Sequence, residues 1–170
     1  MSGASFAACR ALPMTAPCTI ALHTQAFEPL EALATWQRQL STGADGASSA
    51  CLPPAEAHFI GRVRGTTAAG EPLEALELEH YPGMTEAQLE QLARGCRERH
   101  GAVAVLVIHR VGRILPGEAI VLVAVAADRR GPALRGCQEL LEALKHDAPF
   151  WKKELRADGT GHWLQGNTPP

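Results

Sequence analysis

The amino-acid sequence predicts an α+β fold in which helices pack against a mostly antiparallel sheet. Residues 102–108 and 119–126 are continuous apolar runs rich in Val and Ile, which is typical of strands buried on both faces. The Pro116-Gly117 turn between the two runs predicts that they pair antiparallel. Segments with the apolar spacing of helices flank these runs, so the expected order of elements is β-α-β-β-α-β-β-α.

The first half of the chain contributes three strands and one helix to this order. We expect a strand at Thr19–His23 and a helix from about Pro29 to Leu40. Ala57–Val63 predicts a second strand, and apolar and acidic residues alternate over Leu76–His80, which predicts a third strand with one solvent-exposed face. The glycine-containing segment Gly65–Pro72 predicts a hairpin-type connection between these last two strands.

Two further helices are expected on either side of the apolar runs. The first covers about 85–100, because Thr85 and Gln88 have the spacing of a capping box and Gly101 ends the helical pattern. The second begins near Pro132 and ends before Pro149. Its predicted buried stripe consists of Leu134, Cys137, Leu141 and Leu144. A short helical turn at Trp151–Glu154 is expected to follow.

Length and composition suggest one domain. A chain of 170 residues can bury a sizeable core, and we place the domain at 18–165. The small residues of 1–17 predict an N-terminal tail, and 166–170 form a C-terminal tail. Residues 41–54 are rich in Gly, Ser and Pro, which predicts a long surface loop.

The charge balance and the cysteines restrict the class of protein. There are 16 basic and 18 acidic residues, which argues against binding to nucleic acid or to a membrane surface, since both need a basic excess. The five cysteines form no C-x-x-C pair, and the N-terminal residues lack the apolar stretch of a signal peptide. We therefore expect a cytoplasmic protein in which Cys96 and Cys137 act as small hydrophobic residues.

Lysine is confined to one part of the chain. Thirteen of the 16 basic residues are arginines, and the three lysines, Lys145, Lys152 and Lys153, lie within nine consecutive positions. Lysine, unlike arginine, can lose its proton when desolvated and act as a base or nucleophile. Lys145 follows Leu144 at the margin of the predicted apolar stripe, where partial desolvation is expected. Lysines near a helix C-terminus also complement the helix dipole, so a plain surface role stays open, above all for Lys153.

Arginines provide a second set of candidate residues. Arg64 follows the strand at Ala57–Val63, and Arg129 and Arg130 stand between the second apolar run and the last helix. Basic side chains at a strand end beside a helix N-terminus can bind phosphate or carboxylate, although solvated turn residues are an equal alternative.

The remaining motifs indicate neither a metal nor a cofactor. The seven histidines have no zinc-type spacing, and His109 at the end of an apolar run is interpreted as a hydrogen-bonded group at the edge of the core. Dinucleotide, Walker and nucleophile-elbow motifs are all absent from the sequence.

Four segments, in order, resemble the catalytic (large) subunit of molybdopterin synthase: FIGRVRG at Phe59–Gly65, LEHYPGM at Leu78–Met84, VIHRVGRILPGE at Val107–Glu118 and LKHDAPFWKKE at Leu144–Glu154. The resemblance covers roughly 18–165. It implies an α/β hammerhead fold and a homodimer within a heterotetramer. It also implies a small ubiquitin-like carrier subunit whose C-terminal Gly-Gly thiocarboxylate enters each active site. The implied reaction transfers two sulfurs to cyclic pyranopterin monophosphate, which gives the dithiolene of molybdopterin in molybdenum cofactor biosynthesis.

The resemblance also implies roles for single residues. Lys145 and Lys152 match the two active-site lysines, and Arg64 and Phe59 match an arginine and an aromatic residue of the substrate pocket. Arg130 matches the arginine of a His-Arg pair, with Arg129 standing where the family pattern has histidine. The family's arginine near the C-terminus has no counterpart in Gly166-Asn167.

These matches suggest a mechanism and two alternatives. Arg64 and Arg130, with Arg129, are expected to hold the pterin phosphate, and Lys152 to orient the substrate and the carrier carboxylate. Lys145 would assist proton transfer as sulfur adds or briefly hold the carrier's acyl end, and both roles stay open. The first alternative is a dimeric protein that docks the carrier or a phosphorylated pterin without efficient turnover. The second is an unrelated α+β module that binds a phosphorylated metabolite.

Overall fold

The computed structural model describes residues 18–41, 52–67, 69–156 and 158–164. Both predicted tails and residues 42–51 of the predicted loop lie outside this part of the chain. The described residues form three helices and eight strands: β1 (Cys18–His23), α1 (Pro29–Ser41), β2 (Ala55–Arg62), β3 (Leu73–Glu79), α2 (Met84–His100), β4 (Ala104–Arg110), β5 (Gly112–Ile114), β6 (Ala119–Ala127), α3 (Arg130–Asp147), β7 (Trp151–Arg156) and β8 (Gly161–Trp163).

The strands form two four-stranded sheets, where the sequence predicted one. Sheet one has the order β1-β4-β6-β2, and sheet two has the order β5-β3-β7-β8. The strand pairs are antiparallel except for β1 with β4, which is parallel. The α+β class and the antiparallel pairing of β4 with β6 are therefore confirmed.

The division into two sheets begins at Gly112. The chain leaves β4 at Arg110 and enters β5 at Gly112, whose φ of 76° is accessible to glycine without strain. Since β5 pairs with β3, the second sheet starts where β4 ends. β2 and β3 belong to different sheets and do not pair with each other. The connection between them still closes in the manner of a hairpin, as predicted, since the backbone N–H of Leu73 donates to the carbonyl oxygen of Gly65 at 3.0 Å. A single bridge between Thr66 and Pro72 closes the segment that joins them.

The segment after α3 is a strand, and the predicted helical turn at Trp151–Glu154 is wrong. β7 runs antiparallel to β3, with Lys152 opposite Leu78 and Lys153 opposite Glu77. Pairing with β3 satisfies the backbone of this polar segment, which has little apolar pattern of its own. Because successive side chains of a strand point to opposite faces, Lys152 and Lys153 lie on different faces of sheet two.

Helix α2 begins slightly earlier than predicted and with a different cap. Gly83 is the N-cap residue, and its backbone N–H donates a hydrogen bond to the Glu86 carboxylate at 2.7 Å. The hydroxyl of Thr85 instead accepts from the backbone N–H of Tyr81 at 3.2 Å. The predicted capping box at Thr85 is therefore wrong, because this residue already lies in the first turn. The predicted end at Gly101 is confirmed.

The helices cover both faces of sheet one. α2 and α3 pack on the face that carries Val105 and Val107 of β4, and α1 packs Leu33 and Trp36 on the opposite face. β4 is buried along its whole length, as the apolar run predicted.

The buried face of α3 differs by one position from the predicted stripe. Ala133, Cys137, Leu140 and Leu144 are buried, whereas Leu134 is 60% exposed. The two stripes share Cys137 and Leu144, and the small Ala133 rather than Leu134 faces the sheet. Cys96 and Cys137 are buried as predicted, and burial raises the pKa of both thiols to about 11.

Candidate active site

A pocket of about 550 Å³ opens where sheet one, the end of α3 and the start of β7 meet. Sheet one forms its floor, the last turns of α3 form one wall, and the segment leading into β7 forms another. Pockets of this size hold small molecules. Most of its lining is apolar, and the polar side chains among the lining residues are those of His109, Glu142, Lys145 and Lys152.

Three neighbouring strands of sheet one contribute residues to the floor. His109 of β4 lies opposite Val121 of β6, which lies opposite Gly61 of β2. A Cβ atom at Gly61 would lie 2.8 Å from Cγ1 of Val121 and 3.2 Å from a ring carbon of Phe59. The absence of a side chain at Gly61 therefore keeps this part of the floor open.

Two lysines enter the pocket from different elements. Lys145 belongs to the last turn of α3 and Lys152 to β7, and both are partly buried. Burial lowers the pKa of Lys152, and the positive charge of Lys145 lowers it further. An anion bound between the two ammonium groups would offset their repulsion. The pocket thus combines two ammonium groups, whose charge suits an anionic ligand, with a lysine that gives up its proton more readily than an ordinary lysine.

The third lysine, Lys153, does not line the pocket. The ammonium group of Lys153 lies 5.3 Å from the ring centre of Trp163, which is a cation–π distance. Strand periodicity thus places the pocket lysine and its neighbour in sequence on opposite faces of β7.

Half of the predicted site residues meet in this pocket. Phe59, Lys145 and Lys152 line it, although Phe59 is also 41% exposed to solvent. Arg64 is exposed and follows Gly61 of the floor by three residues, so that it lies near the pocket without lining it.

Arg129 and Arg130 lie at the other end of α3. Arg129 is the N-cap residue and Arg130 is the first residue of the helix, and both are exposed. Fifteen residues separate Arg130 from Lys145, which corresponds to about 22 Å along a helix axis. Within one chain, these arginines therefore do not reach the pocket that contains the lysines.

The pocket lining also includes residues that were not predicted as site residues, among them the polar or aromatic residues His109, Glu142 and Phe150. The sequence did contain a signal for His109. This residue continues the alternation of Val105 and Val107, which lie on the face of β4 that packs against α3. Glu142 is three residues before Lys145 and so lies on the same side of α3. Phe150 gave no comparable pattern, since its position depends on the strand that follows it.

Neither a metal cluster nor a membrane helix is found in the described parts of the chain. No group of three or more His, Cys, Asp or Glu residues there could hold a metal ion. Likewise, none of the described helices is long and apolar enough to cross a membrane.

Comparison with known proteins identifies the family. The family model "MoaE protein" matches residues 39–147. A relative from Ralstonia nicotianae named "Molybdopterin synthase catalytic subunit" is 48% identical over 110 residues, which are 65% of this chain and 61% of the relative's length. The solved structure of the molybdopterin biosynthesis MoaE protein from Burkholderia ambifaria is 37% identical, with a TM-score of 0.70, and the match covers 91% of this chain and 93% of that one.

A more distant structure has the same fold. It comes from a complex of subunits 1 and 2 of the molybdopterin-converting factor of Helicobacter pylori, with a TM-score of 0.69 at 21% identity, over 89% of this chain and 93% of that one. The family match covers more than half of the chain, and relatives are named as the catalytic subunit of an enzyme. The chain therefore belongs to the MoaE protein family of molybdopterin-biosynthesis enzymes.

Proposed function

We propose that the chain is the catalytic subunit of a molybdopterin synthase. In this proposal it transfers sulfur from the C-terminal thiocarboxylate of a small ubiquitin-like carrier to cyclic pyranopterin monophosphate, which forms the molybdopterin dithiolene. The observation that carries the proposal is the convergence of Lys145 and Lys152, from separate elements, in one pocket with apolar walls. Membership of the MoaE family supports the same reaction.

The pocket chemistry fits two anionic reactants. The thiocarboxylate and the pterin phosphate repel each other in water, and two ammonium groups in a partly desolvated pocket offset that repulsion. Sulfur attacks a pterin carbon and forms a new C–S bond there. The carrier's own C–S bond breaks when water takes the acyl group, so the carrier leaves as a carboxylate. Two such rounds deliver the two sulfurs of the dithiolene.

Lys152 is the better candidate for proton transfer in this scheme. The oxygen that sulfur displaces from the pterin needs a proton, and the lowered pKa of Lys152 makes its ammonium group a stronger acid than an ordinary lysine. A transient acyl link would need a neutral amine, which the same shift favours. We assign to Lys145 the stabilisation of negative charge, in place of the two roles expected from sequence, which were proton transfer and a transient acyl link.

We further propose that the phosphate is bound by arginines of two chains. Arg64 follows Gly61 of the pocket floor by three residues in its own chain. Arg129 and Arg130 are about 22 Å from Lys145 along α3, so they can serve a lysine pocket only in a second copy. A homodimer with one carrier per pocket, a heterotetramer, meets this requirement. Arg129 adds positive charge at the position where the family pattern has histidine.

We place the reaction in the cytoplasm. The described cysteines, Cys18, Cys96 and Cys137, are free thiols, which suits a reducing compartment.

A reconstituted assay tests the proposed function. Purified protein, carrier thiocarboxylate and cyclic pyranopterin monophosphate are mixed, and dithiolene is measured together with the thiocarboxylate consumed. We expect about two thiocarboxylates to be consumed for each dithiolene formed, following the two-sulfur stoichiometry of the reaction. A docking protein without turnover would bind the carrier and form no dithiolene. An unrelated phosphate-binding module would bind the pterin phosphate and leave the carrier free.

A further inference from the structure

His109 is a buried imidazole in the floor of the pocket to which the scheme above gives no role. The residue is 8% exposed, and its ring stacks on Phe150 with 4.2 Å between ring centres and 18° between planes. Nδ1 lies 2.8 Å from the carbonyl oxygen of Arg110. A carbonyl oxygen can only accept, so Nδ1 carries the hydrogen and Nε2 carries the lone pair. The stacking and the hydrogen bond together hold the ring in one orientation.

The imidazole is neutral at physiological pH. Burial lowers the pKa of His109 to about 4, against the opposing effect of the hydrogen bond to Arg110, and the charge of Lys152 lowers it as well. The charged groups that line the same pocket are Lys152 of β7 and Lys145 and Glu142 of α3. Two ammonium groups against one carboxylate disfavour a third positive charge. His109 therefore cannot store a proton there, and the chemistry left to it is to accept a hydrogen bond at Nε2.

We propose that His109 is the positioning residue of Lys152, with Nε2 accepting a hydrogen bond from the Lys152 ammonium group. This bond holds the lysine against the floor and directs its other hydrogens into the pocket. It also stabilises the charged form of Lys152, so that the proton remains on the lysine until sulfur adds. The catalytic consequence rests on the proposed function, whereas the hydrogen bond itself can be tested without turnover.

Two variants distinguish the effect of the hydrogen-bond acceptor of His109 from the effect of its ring. His109→Phe keeps an aromatic ring against Phe150 and removes the acceptor. His109→Gln loses the ring and supplies an amide oxygen that can accept at about the position of Nε2. The readout is the pH dependence of the acetylation rate of Lys152 by trace acetic anhydride, followed by peptide mass spectrometry. Lys153 serves as the internal reference in each sample.

The expected result is a shift confined to Lys152. In His109→Phe its titration midpoint falls by about one pH unit, because the ammonium group loses a hydrogen-bond partner while the burial remains. His109→Gln recovers most of this shift, and Lys153 titrates alike in all three proteins. An unchanged or raised midpoint in His109→Phe overturns the proposal, as does a Gln variant that behaves like Phe. These results do not depend on sulfur transfer, so they are distinct from a failure of the proposed function.

A measurement on the wild-type protein covers the case in which a variant does not fold. Imidazole ¹⁵N NMR is expected to show His109 as the neutral tautomer with hydrogen on Nδ1 between about pH 5.5 and 8. Its Nε2 resonance should shift in Lys152→Met, because the donor is gone. A ring that protonates near pH 6.5, carries its hydrogen on Nε2, or is insensitive to Lys152→Met contradicts the proposal.

Discussion

Replacing Lys152 by Met is expected to lower the kcat of sulfur transfer by about 100- to 1,000-fold, the usual range for loss of a general acid or of a charge-stabilising donor. Lys152 is the pocket lysine whose pKa is lowered by burial and by Lys145, so the substitution removes both the proton donor and one of two cations. The reconstituted assay measures the effect. Lys153→Met is the matched control on the other face of β7, and it should stay within about twofold of the wild type. A Lys152→Met protein that retains a tenth or more of the wild-type kcat would contradict the assignment.

The pH dependence of the sulfur-transfer rate is a second test of Lys152 as the proton donor. A proton donor is active while protonated, so the rate falls as pH rises through the pKa of Lys152. Since this pKa is lowered, the fall should occur below the ordinary lysine value of about 10.4. The Lys152→Arg variant keeps its positive charge throughout this pH range, so its rate should not fall with rising pH. Its rate should be much lower than that of the wild type, because arginine does not release its proton.

The second large effect concerns the two ends of α3. Lys152→Met and Arg130→Ala should each be nearly inactive alone, and subunit exchange between them should restore about one quarter of the wild-type activity. If Arg130 serves the neighbouring pocket, a mixed dimer has one intact pocket of two, and half of the dimers in an equal mixture are mixed. The physical reason is the separation of about 22 Å between Arg130 and Lys145 along α3.

The matched control for subunit exchange pairs two lysine variants. Lys152→Met and Lys145→Met alter the same pocket, so their mixed dimer has no intact site and should show no recovery. Recovery in this control would show that Lys145 and Lys152 do not act in one pocket. No recovery with Arg130→Ala would mean that Arg130 does not act across the dimer.

The clustering of lysine in the sequence, together with the family resemblance, pointed to two residues that the fold brings into one pocket. Lys145 and Lys152 do line one pocket, together with Phe59. The sequence placed the desolvation at Lys145, because this residue follows Leu144 at the margin of the predicted apolar stripe, and it gave no sign that Lys152 would be buried. β7 is a polar segment that becomes a strand by pairing with β3, and that tertiary pairing is what buries Lys152.

The distance between the arginines and the lysines could have been predicted from the sequence, whereas the two-sheet arrangement could not. The predicted length of the last helix already separates Arg130 from Lys145, so their distance within one chain was accessible from sequence. The two-sheet arrangement was not, because β5 and β8 have three residues each and show no measurable alternation. The role of His109 in the floor depends on the register of three strands, which only the fold specifies.

The most direct test of the central claim is a lysine footprint of the working complex. The acetylation rates of Lys145, Lys152 and Lys153 are measured in the wild-type protein, with and without the carrier carboxylate and cyclic pyranopterin monophosphate. We expect Lys145 and Lys152 to become protected when both reactants are bound, while Lys153 is modified as in the free protein. Unchanged modification of Lys145 and Lys152 in a complex shown to bind both reactants would place the chemistry elsewhere on the chain.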